Sequence, residues 1–248
     1  DEIFTVSTVD NFVNVNAMDF TQVSAVNAGS SVADSIATDS AVDAELSGDQ
    51  NGLIASDISF SNINSANLSG GSLTGSNNVD TLSLTVLGLV ANNIDFTFID
   101  SFVDLAGGYD EITGLAGVDW TLTGADGEIN STRYEFANIE EINVVGESVT
   151  GSSSAETFEI GTSTQGVIVN GLQLNDVASV NAGASDTLQG TSGDDVFDVT
   201  SDTVVEANST TFSGMKNLNG SGGQDTLISN TDGLAWIIND GKEGLNTL

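Results

Sequence analysis

The chain has 248 residues, of which 36 are Asp or Glu and 3 are Lys or Arg, for a formal charge of −33 with no His, Cys or Pro. Three dispersed bases, Arg133, Lys216 and Lys242, cannot neutralise a row of phosphates, which excludes nucleic-acid binding and docking on anionic lipid. Without His or Cys there is no Ser-His-Asp or Cys-His triad and no ordinary zinc or haem site, so any metal is a hard cation held by oxygens.

The chain is nevertheless 39% hydrophobic with 11 Phe and 2 Trp, enough to bury a core. Its longest apolar run, from Val86 to Ala91, is far shorter than the roughly 20 residues of a membrane helix, so no membrane insertion is expected. The start shows no basic segment leading into an apolar one, so a secretion signal is expected to be absent or removed.

Taken in chain order, one pattern recurs. An apolar residue, any residue and a second apolar residue appear as Phe4/Val6, Ala44/Leu46, Leu82/Leu84, Trp120/Leu122, Phe158/Ile160, Phe197/Val199 and Trp236/Ile238, at intervals of 38 to 40 residues. A short β-branched patch follows, clearest as Val167-Ile168-Val169 and Val204-Val205. Then comes an aromatic or Leu with apolar residues at +3 and +6 and usually Asn at +7: Phe20, Phe60, Phe96, Phe136, Leu174 and Phe212 begin the six copies. Last comes an acid, a Ser or Thr, and an aliphatic residue, as in Asp186-Thr187-Leu188 and Asp225-Thr226-Leu227.

Short alternating segments between Gly, Asn, Asp and Ser turns read as strands. The aromatic block reads as a strand-turn or 3₁₀ corner. A unit of about 39 residues that cannot close its own core stacks on its neighbours. The pattern therefore predicts an all-β, parallel β-solenoid of β-helix or β-roll type. It forms a single domain over 1–248, with six units starting near 4, 44, 82, 120, 158 and 197 and a partial one from 236. One coil or two per unit stays open. The anchors are expected to form an internal apolar column and the Asn residues a hydrogen-bonded ladder.

The acids keep the same register. One set lies at 34, 110, 147, 186 and 225 and a second at 43, 80, 119, 156 and 195, nine residues apart in pairs such as Asp34/Asp43 and Asp186/Asp195. Direct stacking of repeats would place equivalent carboxylates about 4.8 Å apart and favour bound cations. The plainer reading is that they make soluble Gly-flanked turns.

The stretches Gly190 to Asp198, Gly220 to Ile228 and Gly114 to Leu122 resemble the RTX nonapeptide, G-G-x-G-x-D-x-U-x, in which U is a large apolar residue. That resemblance implies a parallel β-roll with Ca²⁺ at its turns. Asp119, Asp186, Asp194, Asp195 and Asp225 would then be ligands, with Asp80 and Asp110 weaker candidates. True RTX arrays repeat every nine residues without interruption, whereas here about 20 other residues follow each tandem pair. The composite pattern is similar to repeats of large secreted bacterial surface proteins and adhesins.

The resemblance implies a secreted, cell-surface, non-enzymatic structural or adhesive segment. Its expected partners are further copies of itself, neighbouring repeats of a longer chain, or cell-surface glycans. A β-helix module that binds or processes polysaccharide, lyase- or epimerase-like, is the alternative, and paired acids are the groups that glycoside hydrolysis uses. An active site should be a unique departure from the repeat. The departures are Tyr109 and Glu111, Arg133-Tyr134, and the loop around Lys242; no residue is assigned a catalytic role.

Overall fold

The computed structural model describes residues 2–7, 12–29, 33–48, 51–103, 108–124, 128–183, 185–229, 236–237 and 246–247. Ile238 and the Lys242 loop lie outside these.

Each repeat folds as a run of short strands with no helix among the described residues. The first repeat holds β1 (Ile3–Ser7), β2 (Phe12–Val15), β3 (Met18–Thr21), β4 (Ala25–Asn27) and β5 (Ser35–Thr38). The second holds β6 (Ala44–Leu46), β7 (Leu53–Ala55), β8 (Ile58–Ser61) and the long β9 (Ser65–Thr74). The third holds β10 (Thr81–Leu84), β11 (Leu89–Ala91), the long β12 (Ile94–Val103) and β13 (Glu111–Thr113). The fourth has β14 (Trp120–Leu122), β15 (Ile129–Ser131), β16 (Glu135–Ala137), β17 (Glu141–Asn143) and β18 (Ser148–Thr150). The fifth has β19 (Thr157–Ile160), β20 (Val167–Val169), β21 (Leu172–Asn175), β22 (Ser179–Asn181) and β23 (Thr187–Gln189). The sixth has β24 (Val196–Ser201), β25 (Val204–Ala207), β26 (Thr210–Ser213), β27 (Asn217–Asn219) and β28 (Thr226–Ile228), and β29 (Trp236–Ile237) pairs antiparallel with β30 (Asn246–Thr247).

In five of the six repeats, all but the fourth, the first three strands form an antiparallel meander. In the fifth, Glu159 faces Ile168 and Val169 faces Leu172. The second turn of the meander is two residues long with both φ positive: Asn16-Ala17, Ser56-Asp57, Asn92-Asn93, Asn170-Gly171 and Asn208-Ser209. This is the type I′ geometry whose twist matches that of the flanking strands, and Asn and Gly tolerate it best. Two residues after each aromatic-block start the chain again enters the left-handed region, at Gln22, Asn62, Phe98, Asn138, Asp176 and Gly214. That kink turns the aromatic block from one strand into the next, as the strand-turn expectation required.

The chain divides into two compact units, 1–115 with 133–139, and 116–132 with 140–248. Each is a stack of parallel coils, and the two together hold about 7 turns of β-solenoid. In the first unit Phe4 lies opposite Ile36, Ile36 opposite Ala66, Ala66 opposite Phe96, and Leu82 opposite Ile112. In the second, Trp120 lies opposite Val149, Val149 opposite Val180, Phe158 opposite Leu188, and Leu188 opposite Leu218.

Here the expectation of aligned equivalents fails. Parallel partners lie about thirty residues apart and belong to different blocks of the repeat, so an anchor stacks on an acid-block aliphatic and not on the next anchor. The physical reason is the meander. Its two hairpins consume chain within one layer, so the sequence period and the stacking period differ.

The anchors from Phe4 to Val199 are buried as expected. Trp120, Phe158, Leu82 and Val6 have no exposed surface, and the alternate positions of each strand point outward. Each such side chain contributes about 1.5–3 kcal/mol on burial. Ring contacts join Phe4 with Phe60 at 6.4 Å and Phe102 with Phe136 at 6.5 Å in the first unit.

Candidate functional site

The acid-bearing turns sit just before the strands, where backbone N–H groups emerge with no ladder partner and need acceptors. Asp, one carbon from the backbone, can reach back over its own turn. In the loop Gly190–Asp195, Asp195 Oδ2 accepts the N–H of Thr191 at 2.7 Å and Oδ1 accepts its hydroxyl at 3.1 Å, while Thr191 Oγ1 accepts the N–H of Gly193 at 3.1 Å. The same arrangement recurs with Asp80 over Ser76, at 2.6 Å from N–H to Oδ2, and with Glu156 over Ser152, at 3.0 and 2.9 Å. A Ser or Thr four residues before the acid supplies the donor each time.

At Gly151, Gly190 and Gly220 the glycine five residues before the acid faces its carboxylate. A Cβ on Gly190 would lie 2.6 Å from Asp195 Oδ2, and one on Gly220 would lie 2.0 Å from Asp225 Oδ2.

The two acid sets meet across coils. The N–H of Asp80 donates to Asp110 Oδ1 at 2.5 Å, that of Glu156 to Asp186 Oδ1 at 2.9 Å, and that of Asp195 to Asp225 Oδ1 at 3.1 Å. Each pair is separated by 30 residues. The ladder therefore pairs an acid of one set with an acid of the other inside the same repeat, and equivalent acids of successive repeats do not stack.

The seven predicted ligands fall into two environments. Asp80, Asp110 and Asp186 are buried. Asp80 also accepts Asn92 Nδ2, and Asp186 Oδ2 accepts the N–H of Gly183. N–H and hydroxyl donors thus face these carboxylates where a cation would have to sit. Asp119, Asp194 and Asp225 are exposed and Asp195 is half-buried. Among the described residues Asp119 takes the Ser148 hydroxyl, at 2.6 Å, and Asp194 takes the N–H of Gln224 at 2.6 Å. Among the described residues no three acids form a group able to hold a metal by side chains alone. The turns 190–195 and 220–225 lie on neighbouring coils, joined by the N–H of Asp195 to Asp225 Oδ1 and the N–H of Gln224 to Asp194 Oδ1. These carboxylates too accept donors of the turns, Asp195 from Thr191, Asp225 from the N–H of Asp195 and Asp194 from that of Gln224.

Asp34 and Glu156, which the RTX resemblance leaves outside its ligand set, are both buried caps. Asp34 Oδ1 accepts the N–H of Glu2 at 3.0 Å. The available signal was the 30-residue spacing of 80/110, 156/186 and 195/225.

The Asn block is also recast. Asn27, Asn67, Asn143 and Asn219 accept the N–H two residues on, at 2.9 to 3.2 Å. They close their own turns as Asx caps; a cross-coil bond is seen at Asn62 Nδ2 to Asn27 Oδ1, 2.8 Å.

Of the departures from the repeat, Arg133 donates from Nη1 to the carbonyls of Thr85 at 2.7 Å and Val86 at 3.1 Å, and Tyr134 packs edge-on against Phe136 at 6.3 Å. Both roles are bracing.

Comparison with known protein families, with curated proteins and with solved structures gives no match.

Proposed function

We propose that the chain is a non-enzymatic, extracellular structural segment whose solenoid is steadied by Ca²⁺ at the turns 190–195 and 220–225. One observation carries the non-enzymatic part of this reading: the acids that stand out in the sequence are spent on the N–H groups of their own and adjacent turns, repeat after repeat. A general acid or nucleophile must keep its carboxylate available to a substrate. Repetition of the same cap in unit after unit instead serves a scaffold. The large charge keeps such a surface soluble, and a divalent cation between Asp195 and Asp225 relieves repulsion between stacked acids.

Thermal melting with and without Ca²⁺ tests the proposal. Ca²⁺ should raise the midpoint of the parent chain and leave Asp195→Asn/Asp225→Asn unmoved. An unchanged parent midpoint removes the Ca²⁺ part, and turnover of a polysaccharide removes the non-enzymatic part.

A further inference from the structure

We infer that the outer edge of β3 is a docking edge for β27 of a second copy of this chain, with Leu218 set opposite Phe20. The inference rests on the structural reading above and names the partner. In every later repeat the strand that carries the aromatic-block start is covered by a parallel strand. Val26 lies opposite Phe60, Ala66 opposite Phe96, Phe102 opposite Phe136, Ile142 opposite Leu174 and Val180 opposite Phe212. The covered residues are all 2% exposed or less. Phe20 occupies the same position and is 45% exposed, with Met18 at 57% beside it. Among the described residues β3 pairs only with β2. It therefore offers a row of backbone donors and acceptors flanked by large apolar side chains, an edge that recruits another strand.

β27 is the matching half. It is the sixth repeat's version of the covering strands β4, β17 and β22. Among the described residues it pairs only with β23, through Leu188 opposite Leu218. Laid parallel on β3 in the register of the internal pairs, it puts Asn217 against Asp19, Leu218 against Phe20 and Asn219 against Thr21. The adjoining strands then match as well: β28 meets β4 with Leu227 opposite Val26, as Val149 lies opposite Val180 within the second unit. The contact joins different surfaces of the two copies, so it propagates instead of closing as a dimer.

Charge sets the conditions. Two chains of −33 repel at low ionic strength. The screening length falls from about 30 Å at 0.01 M salt to about 3 Å at 1 M, so apolar docking strengthens as salt is added.

Sedimentation velocity of the chain over rising protein and salt concentration tests the inference. The parent should shift several-fold to larger mass, and Phe20→Asp or Leu218→Asp should each abolish the shift. Mixed together, the two variants should form dimers and nothing larger, because each keeps one intact edge. Phe20→Lys should fail as Phe20→Asp does, which separates loss of the apolar contact from added negative charge. Phe20 is exposed in the single chain, so its variants should melt like the parent. Should Leu218→Asp unfold, an excess of Phe20→Asp added to parent chain replaces the mixing test by reducing the assemblies to dimers. A parent that stays monomeric, or variants that still assemble alone, overturns the inference. That result leaves the non-enzymatic reading standing, because polysaccharide turnover is what would sink it.

Discussion

The backbone N–H of Glu156 donates to Asp186 Oδ1 at 2.9 Å, across 30 residues and one layer of the stack. Both side chains are buried, and each also caps its own turn, Glu156 on Ser152 and Asp186 on Gly183. The acids of this chain thus hold adjacent coils in register.

Removing such a cap should be costly. Asp186→Ala strands two N–H donors at a buried position and should destabilise the second unit by about 2 to 3 kcal/mol, whereas the exposed Asp119→Ala should stay within about 0.5 kcal/mol. Denaturant titration of both variants measures the contrast. Equal costs would mean that burial and N–H capping do not distinguish the acids.

Gly220 faces Asp225, whose Oδ2 would lie 2.0 Å from a new Cβ. Gly220→Ala should displace the carboxylate, lowering the melting midpoint and blunting the Ca²⁺ response, while Gly117→Ala, with open space around it, should pay only for its positive φ, about 1 kcal/mol. A Ca²⁺ response unchanged by Gly220→Ala would separate the cation from this turn.

Phe98 is 71% exposed and holds φ at +55°, where the other repeats place Asn, Gln, Asp or Gly. Phe98→Asn should stabilise the first unit by about 1 kcal/mol by relieving that conformation. A loss of stability would show that the ring makes contacts worth more than the strain.

Asp43 carries a pH signature. The N–H of Ser72, and next its hydroxyl, hold the Asp43 carboxyl below its ordinary value against a small opposing effect of burial. The folded chain therefore releases this proton more readily than the unfolded one. Its contribution is fully present above the unfolded value and fades as pH falls through the folded one. Asp43→Asn should melt lower than the parent at about pH 7, and the gap should close below about pH 4. A gap that persists at lower pH would assign the effect to something other than this carboxylate.

The sequence displayed the strands, the buried anchors and the acid turns because each obeys a local rule. Trp120 and Leu122 alternate with outward residues, and Asp195 follows Thr191 at the spacing a turn cap requires. Stacking was not legible in the same way. The 39-residue identity of the repeats implied that like stacks on like, but Phe158 rests on Leu188 because the Asn170-Gly171 hairpin folds chain back within the layer. That dipeptide, between Val167-Ile168-Val169 and Leu172-Gln173-Leu174, is a strong hairpin signal. Given weight, it would have predicted the meander and shortened the stacking period. The fate of the buried acids was hidden for a further reason: a carboxylate reads the same in sequence whether it faces N–H donors or a cation.

The chain has no cysteine, so an engineered pair reports the stacking register without interference. In the structure Glu159 lies opposite Gln189, whereas Asp198 holds the position in the next repeat that Glu159 holds in its own. A disulfide requires Cα atoms about 4.4–6.8 Å apart, a distance that neighbouring strands satisfy. Under mild oxidation Glu159→Cys/Gln189→Cys should close quantitatively within one chain, and Glu159→Cys/Asp198→Cys should not. Closure of the second pair and failure of the first would contradict the thirty-residue register, and with it the account of the acids as caps between coils.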